Sequence, residues 1–302
     1  MSAWQYPMNS HHPYALITIF FWSLAYVLTR VALEHFSGPA LGFLRYFIAS
    51  AVLAVLALRF KIKPPHKDDL IWFLFSGAAG FSLYMLAFNK GCETATASES
   101  SVIIATVPAI TVILAKFIYK EEIRPFQYPA IAIEFIGVII LMEAYKTFDI
   151  NQGLLWLLGA ALLLSAYNIL QRKLTKKYSP LQTAMYSIFM GQAMLFIFAP
   201  EALAQVKTAP PAQFLYLAVM GVFSSAAAYF TWSTALARAK KISSVSNYMF
   251  LTPLLASILG YVLINEKPGD STVIGGATIL AGMALFNFGG AVKDFLRGSR
   301  RY

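Results

Sequence analysis

Charge is the scarcest property of this chain. Asp, Glu, Lys and Arg make up 13% of its 302 residues, where a soluble globular chain carries about 25%, so a water-facing domain would lack the surface to solvate it. Cysteine is nearly absent: Cys92 stands alone, which excludes an intramolecular disulfide. Histidine is confined to His11, His12, His35 and His66, all at predicted helix ends or in loops, so no metal site and no cofactor are expected. An H-E-x-x-H motif, a Walker lysine and paired acids at helical spacing inside apolar runs are missing too. An intramembrane enzyme or an ATP-driven pump would have no chemistry to work with.

What the chain has in abundance is apolar sequence, 58% of residues, with a mean hydropathy of +0.62. Runs of about 20 residues, long enough to cross ~30 Å of hydrocarbon, recur from end to end. From Val102 to Leu114 only Thr106 and Thr111 interrupt the apolar residues, so the segment has no watery face. Ten such runs are predicted, over 13–33, 38–60, 70–91, 98–119, 126–145, 152–173, 179–199, 212–236, 243–264 and 271–295. Ser37-Gly38-Pro39, Lys63-Pro64-Pro65, Ser179-Pro180 and Pro210-Pro211 punctuate the short connections. The residues before the first run contain no Lys or Arg, and no small-residue cleavage site follows it, so that run is expected to remain as a helix rather than act as a signal peptide.

The net charge of +10 does not call for nucleic acid, because the cations alternate by side. With the N-terminus inside, the inner segments hold Arg59, Lys61, Lys63, Lys67, Lys116, Lys120, Arg124, Arg172, Lys173, Lys176, Lys177, Arg238, Lys240, Lys241, Lys293, Arg297, Arg300 and Arg301, whereas the outer segments hold Arg30, Lys90, Lys146, Lys207 and Lys267. Eighteen against five is a positive-inside pattern that predicts both termini in the cytoplasm and a basic surface able to touch anionic membrane lipid.

Sliding the chain along itself by 145 residues places Tyr84 on Tyr229, Ser101 on Ser246, Pro108 on Pro253, Glu121 on Glu266 and Gly137 on Gly282. In the first two helices of each half the shift is 141, which pairs Tyr26 with Tyr167 and Pro39 with Pro180. The predicted fold is therefore all-α and polytopic, ten transmembrane helices in two five-helix repeats over 1–149 and 150–302. An odd number of helices per repeat inverts the second half, an architecture of secondary transporters that exchange inward-open and outward-open shapes around a midplane site.

The stretches "LGFLRYFIAS" (41–50), "ASESSVIIATVPAITVILAKFIYKEE" (97–122), "SSVSNYMFLTPLLASILGYVLINEK" (243–267), "IGVIIL" (136–141) and "AGMALF" (281–286) carry a resemblance over nearly the full chain. It resembles the drug/metabolite transporter superfamily, in its EamA-type branch. The resemblance implies a bacterial inner-membrane permease exporting amino acids or diverse metabolites, with some members taking up metabolites, and it does not name the cargo. Glu134, where the repeat mate is Ile279, and "FNKG" at 88–91 depart from the common pattern.

Pro108 and Pro253 each remove a backbone hydrogen bond inside a helix, as a gating hinge or as a static kink. Glu121 and Glu266 are expected to be structural, each accepting from the N-terminal amides of the helix that follows. Arg45, about 10 Å deep at 1.5 Å per residue, is a counter-ion for an anionic substrate, a structural partner of an acid such as Glu99, or a side chain that snorkels to the membrane surface. Glu134 shares a helix face with Ala130 and Gly137 and is either a proton-coupling site or a helix-pairing group. The cavity is expected between the first, third, fourth, sixth, eighth and ninth helices, with Trp22, Tyr26, Tyr84, Tyr167 and Tyr229 as aromatic contacts and Ser101, Thr106, Asn168, Ser246 and Asn247 as hydrogen-bond partners.

The function expected is secondary-active transport of a small metabolite, an amino acid or related amphipathic compound, outward by alternating access, with or without proton coupling. A lipid or lipid-linked headgroup flippase and a metabolite importer are the alternatives, and a monomer and a homodimer are both compatible with the sequence.

Overall fold

The computed structural model describes residues 10–120, 122–141, 151–240 and 242–298. Helix is the only regular structure among them. Among the described residues eight helices are long and apolar enough to cross a membrane: helix 1 (His12–Ala32), helix 2 (Gly38–Arg59), helix 3 (Lys67–Cys92), helix 4 (Ala97–Tyr119), helix 6 (Gln152–Leu174), helix 7 (Pro180–Val206), helix 8 (Pro211–Arg238) and helix 9 (Ser244–Ile264). Helix 5 (Gln127–Leu141) and helix 10 (Asp270–Gly298) are apolar over shorter described stretches. Glu121 lies outside the described residues.

Local chemistry sets the boundaries. Helix 2 begins where the Ser37 hydroxyl accepts from the Ala40 amide at 3.3 Å, with Pro39 inside the first turn. Helix 7 begins with a capping box between Ser179 and Gln182, and helix 4 with one between Thr96 and Glu99; each satisfies amides that the helix cannot pair itself. Helix 7 runs beyond the predicted end at 199, through the 3-10 turn Phe196–Phe198 into Ala199–Val206. That last turn carries Glu201 and Gln205, so a hydropathy pattern stops short of it.

Several crossings are interrupted, and in matched places. Helix 4 breaks at Ala105-Thr106 and resumes at Val107, just before Pro108, while helix 9 passes through the 3-10 turn Asn247–Phe250 and resumes at Leu251, just before Pro253. Proline has no amide to donate and crowds the preceding turn, so both breaks fall on the N-terminal side of the ring. Helices 3 and 8 each contain a π-helical stretch, Ala78–Ser82 and Met220–Ala227. These irregular segments are buried in the bundle, where other helices can satisfy the backbone. The Ser165 hydroxyl of helix 6, for example, is shared between the Ala161 carbonyl of its own helix at 2.7 Å and the Val107 carbonyl at 3.2 Å.

Helices 5 and 10 pack on each other through small residues. A Cβ on Gly137 would come within 2.8 Å of the Gly275 carbonyl oxygen, and one on Gly282 within 2.8 Å of the Ala130 carbonyl oxygen. The two glycines, 145 residues apart, seat reciprocally: Gly137 lies under Ile279, and Gly282 lies under the side chain of Glu134. Equivalent seats therefore hold an isoleucine in one half and an acid in the other. Glu134 is 1% exposed, and neither carboxyl oxygen has a hydrogen-bond partner among the described residues.

A buried polar group left without a partner costs about 1–3 kcal/mol. Glu134→Ile, which copies the opposite seat, is expected to raise the unfolding temperature of the detergent-solubilised protein, whereas Gly282→Leu is expected to lower it by wedging the pair apart. Thermal unfolding of the two variants beside the parent protein tests this; a destabilised Glu134→Ile would show that the carboxyl contributes to the pair.

Candidate functional site

At the centre of the bundle, seven helices converge on one small cavity. Trp22, Ala25 and Tyr26 come from helix 1, Arg45 from helix 2, Tyr84 and Phe88 from helix 3, Ile104 from helix 4, Leu164 from helix 6, Tyr229 from helix 8 and Met249 from helix 9. The helical repeat explains the sets: Trp22 with Tyr26, and Tyr84 with Phe88, are four residues apart and so share a face. The space open to the centre of a water-sized sphere is only about 20 Å³, room for about one water. The bundle is closed around its centre.

Aromatic rings form the walls. Trp22 packs against Tyr229 and Trp232 with ring centroids 5.2 and 5.0 Å apart, Tyr26 lies 5.4 Å from Phe88, and Tyr84 stacks on Phe88 at 5.6 Å. A second layer backs the first, with Phe81 4.6 Å from Tyr229 and Tyr167 5.7 Å from it. Tyr167 therefore braces the wall and does not line the cavity.

Arg45 is the one charged residue at the cavity and is 4% exposed. Its Nε donates to the Ser225 hydroxyl at 2.7 Å and its Nη2 to the Ser224 carbonyl at 3.3 Å. Both acceptors sit in the π-helical stretch of helix 8. Glu99, the acid named as one alternative partner of Arg45, is instead spent on the Thr96 capping box. A guanidinium has five N–H donors, two of which are engaged here. Trp22 Nε1 is buried with no acceptor, and no carboxylate lines the cavity. Donors outnumber acceptors, a polarity that suits an anionic or carbonyl-bearing guest.

The other sequence candidates are distributed differently. Asn168 accepts from Trp232 Nε1 at 2.9 Å and extends Nδ2 toward Thr111 Oγ1 at 3.5 Å, which makes it a link between helices 6, 8 and 4. Ser101 and Thr106 spend their hydroxyls on the carbonyls of Ser98 and Ile103 in their own helix. Ser246 is buried and its hydroxyl has no partner; Asn247 opens the 3-10 turn of helix 9. Glu134 is remote in connectivity, since neither helix 5 nor helix 10 contributes to the cavity. Glu266 caps a helix, but not the one expected: its Oε1 accepts from the Ala97 amide at 2.8 Å, so it holds the start of helix 4 in the other half rather than helix 10.

Two arginines escaped the sequence reading. Arg30, in the last turn of helix 1, donates to the Cys92 carbonyl at 2.8 Å at the end of helix 3. Arg172, in the last turn of helix 6, donates to the carbonyls of Leu236, Ala239 and Lys240 at 3.1, 2.9 and 2.8 Å at the end of helix 8. Each supplies the donors that a helix C-terminus lacks. Their spacing of 142 residues, close to the repeat shift, was the available signal.

Larger openings flank the closed centre. A vestibule of about 530 Å³ lies at the C-terminal end of helix 1, bordered by Arg30, Glu34, Glu93, Thr96 and Glu266. At the opposite end of helix 1, His12 Nδ1 and the Tyr248 hydroxyl are hydrogen-bonded, joining helix 1 to helix 9. Closer to the centre, Thr18 Oγ1 lies 2.7 Å from Thr231 Oγ1 of helix 8.

The family model of the EamA-like transporters matches residues 10–143 and 151–288. The chain belongs to the EamA-like transporter family. It is an integral membrane transporter, not an enzyme. A relative from Streptantibioticus cattleyicolor named "Probable terminal-alkyne amino-acid exporter" is 27% identical over 272 residues, covering 90% of this chain and 91% of the relative. The S-adenosylmethionine uptake transporter of Rickettsia prowazekii is 26% identical over 242 residues, 79% of each chain. A crystal structure 18% identical in sequence superposes with a TM-score of 0.65 over 91% of this chain and 96% of the other, which shows a shared fold.

Asn168 separates bracing from binding. Asn168→Ala leaves the Trp232 indole N–H buried without an acceptor, a loss of about 1–3 kcal/mol, and is expected to lower the unfolding temperature with or without a transported compound present. An Asn168→Ala protein as stable as the parent would remove Asn168 from the structural network.

Proposed function

We propose that this EamA-like transporter is a secondary-active carrier of small amphipathic metabolites bearing a carboxylate, of the amino-acid class, and that it moves them outward across the bacterial inner membrane. Arg45 carries the proposal. A buried guanidinium with no acid beside it and N–H donors to spare, walled by aromatic rings, is a counter-ion waiting for an anionic group. The ring faces of Trp22, Tyr26, Tyr84 and Tyr229 suit the other end of the molecule, an ammonium through cation–π attraction or an apolar side chain through stacking. The names of both relatives denote compounds with an amino-acid moiety, one exported and one taken up. Outward transport follows the relative that covers more of this chain.

In the proposed cycle, residues 1–149 and 150–302 are the two inverted repeats, all ten helices cross, and both termini face the cytoplasm, in line with the cation asymmetry. The breaks beside Pro108 and Pro253 are the points at which half-helices tilt as the cavity enlarges from water-sized to the few hundred Å³ that a metabolite needs. Glu134 is assigned no coupling role, because the helix 5–helix 10 contact that holds it contributes nothing to the cavity.

Counterflow in liposomes holding the purified protein tests the reading. An amino acid loaded inside should drive transient accumulation of its labelled form, and the corresponding amine without the carboxylate should not. A hydrogen bond to a charged group contributes about 1.5–3 kcal/mol, so Arg45→Gln is expected to raise KM by roughly 10- to 150-fold. Equal counterflow of amino acid and amine, or an unchanged KM in Arg45→Gln, would overturn the carboxylate assignment.

A further inference from the structure

A second concavity, of about 830 Å³, opens at the cation-rich end of the bundle. It lies between the start of helix 1, the end of helix 2, the start of helix 7 and the last turns of helix 8. Its walls have two characters. Leu56, Phe60 and Phe230 make an apolar floor, and Lys61, Lys63 and Arg238 stand along it. No carboxylate lines it.

The cations are held in place by the fold. Helix 2 ends in a turn closed by the Ile62 amide donating to the Ala57 carbonyl at 3.0 Å, with Lys61 in the left-handed region at φ 48°. The following segment is pinned to helix 7 by Gln182 Nε2, which donates to the Lys63 carbonyl at 3.0 Å. The Arg238 guanidinium rests on the Tyr14 ring, 4.4 Å from its centroid. Among the described residues neither lysine ammonium has a partner. Phe60, in the floor itself, is 60% exposed, so the groove is open at its edge.

We infer that this groove is a binding site for one anionic phospholipid of the adjoining leaflet, with its phosphate among Lys61, Lys63 and Arg238 and an acyl chain along Leu56, Phe60 and Phe230. An apolar floor beside two lysines without an acidic partner among the described residues, with an arginine next to them and no carboxylate in the lining, is complementary to an anionic amphiphile. A zwitterionic lipid would gain the floor without the charge match. A soluble anion would gain the charges and leave the floor bare. The inference does not depend on what the central cavity carries.

The test is native mass spectrometry of the full chain, delipidated in detergent and titrated with dioleoyl-phosphatidylglycerol or dioleoyl-phosphatidylcholine. The expected result is a single phosphatidylglycerol adduct formed at lower concentration than any phosphatidylcholine adduct. A juxtamembrane lysine contributes about fivefold to anionic-lipid binding, so Lys61→Asn with Lys63→Gln is expected to weaken that adduct roughly 25-fold. Asn tolerates the left-handed backbone at position 61. Lys116→Gln with Lys120→Gln, on other cations of the same face, should leave it unchanged. Equal adducts with the two lipids, or an equal loss in both double variants, would overturn the site. Full displacement by free glycerol phosphate would show that the groove takes a soluble anion and would equally overturn the lipid assignment.

Discussion

Hydrocarbon offers no partner for a backbone amide or carbonyl, and the architecture follows from that constraint. A continuous helix satisfies itself, so any break in a crossing helix must be turned inward and supplied by neighbours. In this chain the breaks in helices 4 and 9 and the π-helical stretches of helices 3 and 8 lie in the bundle interior, on four of the helices that surround the central cavity. The π-helical stretch of helix 8 presents the Ser224 carbonyl and the Ser225 hydroxyl to Arg45. The irregular backbone and the buried charge thereby support each other: the cation gains acceptors, and the stretch gains donors.

The same constraint separates polar groups that brace from polar groups that are available. Gln171 Nε2 reaches the hydroxyls of Ser76 and Ser187, both at 3.0 Å, and its Oε1 accepts from Ser233. That network ties helices 6, 3, 7 and 8 together, and its members are used up by one another. At the cavity the balance differs, because Arg45 retains donors and Trp22 Nε1 has no acceptor. Unspent donors among aromatic rings are what a transported anion can use. Donors committed to carbonyls, such as those of Arg30 and Arg172, hold helix ends instead.

Much of this was legible in the sequence because hydrophobic length and repeat spacing report directly on crossings. The approximate helix positions, the matched prolines and the repeat pairing of Gly137 with Gly282 all follow from pattern. Partner choice did not. A structural pair of Arg45 with Glu99 was one of the alternatives, but a threonine at position 96 makes Glu99 a capping residue. Glu266 was expected at helix 10, but its carboxylate reached across to Ala97 of helix 4. Both depend on how the two halves dock, which no local pattern encodes. The π-helical stretches were invisible for a related reason: an extra residue in a turn leaves hydropathy unchanged, and only glycines such as Gly80, over which the Tyr167 ring sits, hint at the close approach.

A cavity the size of a water, with a vestibule of about 530 Å³ beyond one end of helix 1 and a hydrogen-bonded seam at the other, is the arrangement that the proposed cycle requires between its open states. Alternating access requires the two faces to move in opposite senses around this centre. The most direct measurement is a pair of spin-label distances by pulsed electron resonance in liposomes, with Cys92 replaced by alanine. One pair is placed at Glu34 and Lys267 beside the vestibule, the other at His11 and Lys240 on the opposite face, with and without a compound that shows counterflow. The predicted result is anticorrelation, with one distance lengthening as the other shortens; two distances that stay fixed, or lengthen together, would contradict transport by this fold through alternating access.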